Sequence, residues 1–195
     1  MPGGGHKFDA AHRAYLDSDE RRSYLDPVRI LTSFGLAKGM RVADVGTGTG
    51  FFAIPAARIV GPSGKVYAVD LVPEMLEELR AKLAREPVPN LEPLRSTEDR
   101  IPLADASVDL AFLACVLHEL DGPGTLRECR RILTRVGRLG VLDWKKEDME
   151  FGPPKAHRLD EDEARSILRD AGFHPITTFE GGRYHYGIEA RIRRA

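Results

Sequence analysis

Cysteine is scarce in this chain: two of 195 residues, Cys115 and Cys129, with no C-x-x-C spacing and no metal-type cluster around them. No scattered histidine pair has ligand spacing either, so no metal site is expected. A reduced, cytoplasmic compartment is the simplest home for such a chain. A surplus of positive charge is also lacking. The 29 Lys and Arg against 30 Asp and Glu leave a formal net charge of −1. That disfavours a protein that grips nucleic acid through phosphates, a local basic patch aside. No apolar run approaches the ~18 residues of a membrane span. The opening MPGGGHKFDAAHRAYL lacks the apolar stretch of a signal peptide. Internal repeats and linkers rich in Gly or Ser are missing too, and 195 residues suit a single core.

What the chain does contain is concentrated at residues 42–50, VADVGTGTG. Apolar residues flank an acid, Asp44, and three glycines follow at alternate positions, Gly46, Gly48 and Gly50. Directly afterwards FFAIPAARIV reads as a helix. Strand, glycine-rich turn and helix together form the arrangement that binds an anionic or polar cofactor in doubly wound α/β proteins. Backbone must approach the ligand closely there, and the helix start offers unpaired N–H groups. The spacing also discriminates. A dinucleotide fingerprint, G-x-G-x-x-G, needs glycine at position 51, which is Phe51.

The remainder alternates between periods of two and of 3.6 residues. Residues 8–35 carry helical patterning, with Asp26-Pro27 as a start signal, and residues 1–35 read as an N-terminal helical lid or extension. Strands are predicted at 41–45, 65–70, 91–95, 107–115 and 137–145. Helices are predicted at 51–60, from Pro73 to the Pro87 stop, at 125–134 and at 160–171. Two further strands, 175–179 and 184–192, flank the Gly181-Gly182 turn as a hairpin. The predicted architecture is α/β: a doubly wound, mostly parallel seven-stranded sheet with an antiparallel C-terminal strand reversed at its edge.

The pattern D-x-G-x-G-x-G over residues 44–50 resembles motif I of the class I S-adenosylmethionine (SAM)-dependent methyltransferases. Residues 100–120, RIPLADASVDLAFLACVLHEL, are similar to the passage before and after the fourth strand in ubiquinone/menaquinone-biosynthesis and arsenite methyltransferases. Pro102, Asp105, Ser107, Asp109, Val116, Leu117 and His118 match. The resemblance spans about residues 36–145, and residues 36–195 are taken as the methyltransferase domain. It implies a Rossmann-like methyltransferase fold in which the last strand inserts antiparallel between the fifth and sixth. It also implies SAM as cofactor and S-adenosylhomocysteine as product. There are departures. Leu113-Ala114 replaces a common Ser-Asn pair, Glu119 replaces a second histidine, and two cysteines are few for arsenic chemistry.

On this resemblance Asp44, Gly46, Thr47, Gly48 and Gly50 hold the methionine end of the cofactor. Asp70, twenty residues after Gly50, is expected to accept the ribose hydroxyls, with a helix cap as its alternative role. Leu71 packs on adenine, Ala114 lies at the fourth strand's end, and Glu98 or Asp99 meets the adenine amino group, the choice being open. His118 follows the fourth strand and is the candidate general base, the alternative being a junction histidine bonded to backbone. After the fifth strand, Trp144, Phe151, His157 and Arg158 are candidates to line an acceptor pocket. His6, Phe8, Tyr15 and Tyr24 are candidates to close it, and Tyr184 and Tyr186 should face oppositely to His185. The expected activity is methyl transfer to a small molecule. RNA methylation, nucleotide-dependent oxidoreduction and non-catalytic SAM binding are the alternatives.

Overall fold

A computed structural model describes residues 17–193. The chain begins with two short helices, α1 (Asp19–Tyr24) and α2 (Pro27–Ser33). Most of the helical pattern at 8–35 that lies before them falls outside the described residues. Pro27 cannot donate a backbone bond, so the pattern breaks there and restarts. Asp26 caps the new helix by accepting from the Val28 and Arg29 N–H groups at 2.9 and 3.1 Å. Alternation then follows: β1 (Arg41–Val45), α3 (Ala53–Val60), β2 (Lys65–Asp70), α4 (Pro73–Arg85), β3 (Leu91–Arg95), β4 (Val108–Ala114), α5 (Gly124–Ile132), β5 (Leu133–Trp144), α6 (Glu161–Asp170), β6 (Phe173–Glu180) and β7 (His185–Ile192).

The seven strands form one sheet in the order β3-β2-β1-β4-β5-β7-β6. β7 runs antiparallel to both β5 and β6, and the neighbouring pairs from β3 to β5 are parallel. The reversed strand is therefore one place in from the edge, and the edge strand is β6. The antiparallel last strand between the fifth and sixth is the arrangement that the resemblance implies; only its placing at the edge is corrected. The order also corrects the expectation that at most one of the two sets, His185 or its neighbours, points inward. An inner strand is covered on both faces, so His185 and Tyr186 are both buried.

Period-two alternation divides the core in two. Val42, Leu110 and Phe112 join the core built with α2 and α3, whereas Ala43, Ala111 and Leu113 join the one built with α5 and α6. Fully burying each large apolar side chain contributes about 1.5–3 kcal/mol. The largest departure from the expected boundaries lies between α5 and β5. Helix α5 stops at Ile132 and β5 begins at once, because Leu133 pairs with Val108 beside a bulge in β4. Tertiary pairing overrides the helical pattern expected through residue 134. The order places the ends of β1, β2 and β4 together, where the strand order reverses and ligands bind in such sheets.

Candidate active site

The loop after β1 is folded onto the end of β2. The N–H groups of Gly46 and Thr47 both donate to the Val69 carbonyl, at 2.8 and 3.0 Å. Gly46 has φ +74°, and a Cβ there would lie 2.4 Å from Val116 Cγ2, so only glycine fits. Gly48 donates its N–H to Asp70 Oδ2 at 2.8 Å, and Val72 donates to Oδ1 at 2.9 Å. Asp70 thus ties the glycine loop to the β2 end rather than capping α4, whose N-cap is Val72. Burial pushes the Asp70 carboxyl above the usual carboxylate range, opposed by these N–H donors. Leu71 beside it is 40% exposed, a large apolar side chain left open at a sheet end.

Asp44 is buried and accepts from Thr47 Oγ1 at 2.7 Å. Burial pushes its pKa up to about 7; the Thr47 bond opposes this, Asp70 adds to it and the Arg21 charge lowers it. At the β3 end, Asp99 lies against the start of α5: a Cβ on Gly124 would sit 1.9 Å from Asp99 Oδ1. A carboxylate at a helix start is stabilised by the helix dipole. Glu98 is half-buried, and its carbonyl accepts from Thr125 Oγ1 at 3.0 Å. Ala114 is half-buried at the end of β4, and Cys115 after it holds φ +59°, rare for a residue with a side chain.

The far side of the site is built on a second acid. Asp143, near the end of β5, is fully buried. Its Oδ1 lies 2.7 Å from His118 Nδ1 and accepts the Trp144 N–H at 2.8 Å, while Oδ2 accepts the His118 N–H at 3.1 Å. His118 Nε2 is 3.7 Å from Glu119 Oε1. Desolvation lowers the His118 pKa, but the Asp143 bond and the charges of Asp143 and Glu119 outweigh it, leaving it raised. An imidazole held this way has its Nδ1 proton fixed on Asp143 and Nε2 as its basic nitrogen. An aromatic cluster from three segments adjoins: the Trp144 ring lies 4.1 Å from His185, 6.2 Å from Phe151 and 6.4 Å from Tyr24.

Comparison with known proteins decides the family. A methyltransferase-domain family matches residues 43–141, half of the chain and both constellations but for Asp143 and the aromatic cluster. The chain belongs to the class I SAM-dependent methyltransferases, and SAM is its cofactor. A SAM-dependent methyltransferase from Aquifex aeolicus superposes with a TM-score of 0.92 at 40% identity, covering 95% of this chain and 100% of that one. Among curated relatives, an arsenite methyltransferase of Halobacterium salinarum is 29% identical over 152 residues, covering 72% of this chain and 39% of the relative. The ubiquinone/menaquinone biosynthesis C-methyltransferase UbiE of Haemophilus ducreyi is 34% identical over 114 residues, covering 57% of this chain and 44% of the relative. The chain spans less than half the length of these two curated relatives.

Several anticipated pocket residues of the methyltransferase have other surroundings. Arg158 is buried and faces backbone: Nε donates to the Pro153 carbonyl at 2.7 Å, Nη1 to Glu147 at 2.9 Å and Nη2 to Phe151 at 3.0 Å. It clasps the loop after β5 and is not presented to an anionic acceptor, a correction to the expectation. His157 sits exposed on the short 3-10 turn Lys155–His157. Trp144 is buried within the aromatic cluster and Tyr24 joins it, whereas His6, Phe8 and Tyr15 lie outside the described residues. Among the described residues no group of three or more His, Cys, Asp or Glu side chains could hold a metal, and no helix is long and apolar enough to cross a membrane. Replacing Arg158 with alanine strands several carbonyls. We expect a loss of about 3 kcal/mol, roughly 6–12 °C in Tm, with faster proteolysis within residues 146–157. An unchanged melting curve would refute the clasp.

Two features of the site, Asp143 and Arg21, are missed by the motif reading. Asp143 carried a signal, since it ends an apolar strand as Asp70 does. Arg21 carried none, because its burial depends on where α1 packs.

Proposed function

We propose that the protein methylates a small organic acceptor, using His118 as general base. The observation that carries this is the convergence of an acid-and-glycine cofactor loop with a buried His118–Asp143 pair at one end of the sheet. When bound, SAM supplies a methyl group activated by its sulfonium. The residues present fit that cofactor. Gly46 has no room for a side chain, Asp44 is a buried acid suited to an ammonium group, and Asp70, at the β2 end beside the glycine loop, is assigned to the ribose hydroxyls. Leu71 offers an open apolar face for adenine. Of the two acids at the β3 end, Glu98 is assigned to the adenine amino group, because Asp99 lies on the α5 start.

The acceptor is bounded by Trp144, Phe151 and Tyr24, with α1 serving as the cover. His118 Nε2 takes the acceptor proton as the acceptor attacks, and Asp143 holds the ring and stabilises the charge it gains. His185 stands in the same wall. Burial pushes its pKa down to about 3, so it is neutral, and neither ring nitrogen has a partner among the described residues. A neutral imidazole offers the acceptor one donor and one acceptor site. Arsenical substrates fit poorly: burial pushes the Cys115 and Cys129 thiols up to about 12, and thiolates are the arsenic-binding form.

Calorimetric titration tests the reading. S-adenosylhomocysteine is expected to bind with a micromolar Kd, and NAD, as control, not to bind. Binding of NAD instead would return the chain to the oxidoreductase alternative. Methyl transfer to a panel of small hydroxyl, amine and carbon acceptors, with no transfer to RNA, is the activity expected.

A further inference from the structure

His185 is a buried side chain whose polar atoms the fold does not use. It lies at the start of β7, fully buried, and neither ring nitrogen has a hydrogen-bond partner among the described residues. Its backbone, by contrast, is engaged: the carbonyl accepts the Gly181 N–H of the hairpin at 2.9 Å. Leaving a buried donor and acceptor unmade costs stability, and native cores rarely do so without a use. A phenylalanine of nearly the same shape would fill the place without that cost. The imidazole therefore keeps its nitrogens for a group that arrives from outside.

The surroundings of His185 bound what that group can be. β7 runs antiparallel to β5, so His185 stands opposite Trp144, at the end of the sheet where the glycine loop lies. The Trp144 N–H donates to Asp143 Oδ1 at 2.8 Å, the oxygen that holds His118 Nδ1. His185 is thus one cross-strand step and one residue away from the His118–Asp143 pair. Four rings surround it. Trp144 lies 4.1 Å from the imidazole, and Tyr24 lies 6.0 Å away and nearly parallel, at 12°. Phe151 and Tyr184, 4.7 Å apart, both pack on Tyr24. A flat apolar body packs well against such walls.

Two chemistries compete for a cluster of this kind: an ammonium drawn by cation–π attraction, or an uncharged group hydrogen-bonded to the imidazole. The neighbouring cations decide between them. The Arg158 guanidinium carbon lies 6.0 Å from the centroid of the Trp144 ring, and that of Arg183 lies 5.0 Å from the Tyr184 centroid. Two of the four rings therefore already face a cation, and Lys145 follows Trp144, paired with Glu180. An ammonium would add a further positive charge beside these. The imidazole itself is held neutral: burial, then the charges of Arg21, Lys145 and Arg158, push its pKa down to about 3. A neutral imidazole presents one N–H and one lone pair, and a hydroxyl can meet either.

We propose that His185 is a specificity-determining residue of the acceptor site: it hydrogen-bonds an uncharged hydroxyl on a flat aromatic acceptor, and the site rejects the corresponding ammonium. This rests on the reading that the protein methylates a small organic acceptor, and narrows the acceptor from amines to hydroxyl-bearing aromatics. Trp144 is the single tryptophan of the chain, so its emission reports on this cluster. The test is a fluorescence titration with benzyl alcohol, toluene and benzylamine, with and without S-adenosylhomocysteine. The three probes share one ring and differ in the polar group. Wild type should bind benzyl alcohol at least ~5-fold more tightly than either of the others. His185→Phe should lose the preference over toluene, because the hydroxyl then goes unpaired, and His185→Asn should recover part of it. His118→Ala should leave the ranking unchanged.

Toluene or benzylamine binding to wild type as tightly as benzyl alcohol overturns the proposal, as does Trp144 emission that none of the three alters. Neither result uses a variant, so a His185→Phe protein that fails to fold leaves the test intact. A His185→Phe protein that keeps the preference also overturns it. So does a His118→Ala protein that loses the preference, because His118 would then be the partner of the hydroxyl. The reading on which the proposal stands fails differently. No binding of S-adenosylhomocysteine, or no methyl transfer to any acceptor while the ranking of the three probes holds, would remove the assigned reaction and not the hydroxyl site.

Discussion

Asp44→Asn is expected to melt about 8 °C above wild type at pH 8 and to bind S-adenosylhomocysteine at least ~100-fold more weakly. Both effects come from one buried carboxyl. Its pKa is raised from an ordinary 3.8 to about 7 by burial. A raised acid binds its proton more tightly folded than unfolded, so the fold loses stability as pH rises between these values. Above pH 7 the penalty is complete, on the order of 4 kcal/mol. The amide keeps the shape and can still accept from Thr47 Oγ1. The gain is nearer ~3 kcal/mol because the amide NH2 must find partners that the carboxyl did not need. The two melting curves should converge only below about pH 4, where Asp44 is protonated in the unfolded chain as well. Affinity of wild type for S-adenosylhomocysteine should fall about tenfold per pH unit below 7, since the ammonium needs the ionised form, while the variant's weak binding stays flat. A variant no more stable than wild type at pH 8 would mean that Asp44 is not held in a costly state for its ligand.

The contrast between legible and illegible parts follows from where each signal lives. The glycine loop was readable because its residues lower strand and helix stability locally, and such a cost shows in sequence. Strand-ending acids were readable for the same reason at Asp44 and Asp70. Asp143 stands in the same position on β5, and the strand-end pattern would have found it. His118 could be placed after β4, but not its partner, 25 residues away in sequence. Arg158 misled because an arginine in a polar loop looks available, and only the folded loop turns carbonyls toward it. His185 was misjudged because sheet order decides whether a strand has one buried face or two, and β7 has two. Arg21 depends on helix packing across the strand ends, which no local pattern encodes.

His118→Ala and Asp143→Asn are expected to lower kcat by about 10²–10⁴-fold while leaving S-adenosylhomocysteine affinity within about 3-fold of wild type. The separation follows from partners: Asp44 and Asp70 bond to the glycine loop and the β2 end, whereas His118 and Asp143 bond to each other. Asp143 acts through His118 and is a positioning residue, so the double variant should be no slower than the worse single one. The pH profile distinguishes this from a structural role. A base must be unprotonated to work, so wild-type kcat falls on the acid side of the His118 pKa, which lies above 6.5. Without the carboxylate charge, desolvation and the Arg158 charge lower that pKa against Glu119 alone, and the acid limb of Asp143→Asn should move to lower pH. Its residual activity would then persist at pH values where wild type is already declining. If His118→Ala turned over at the wild-type rate, the acceptor would need no base. The pair would then be a buried junction that fixes the turn after β4, and methyl transfer would rest on positioning alone.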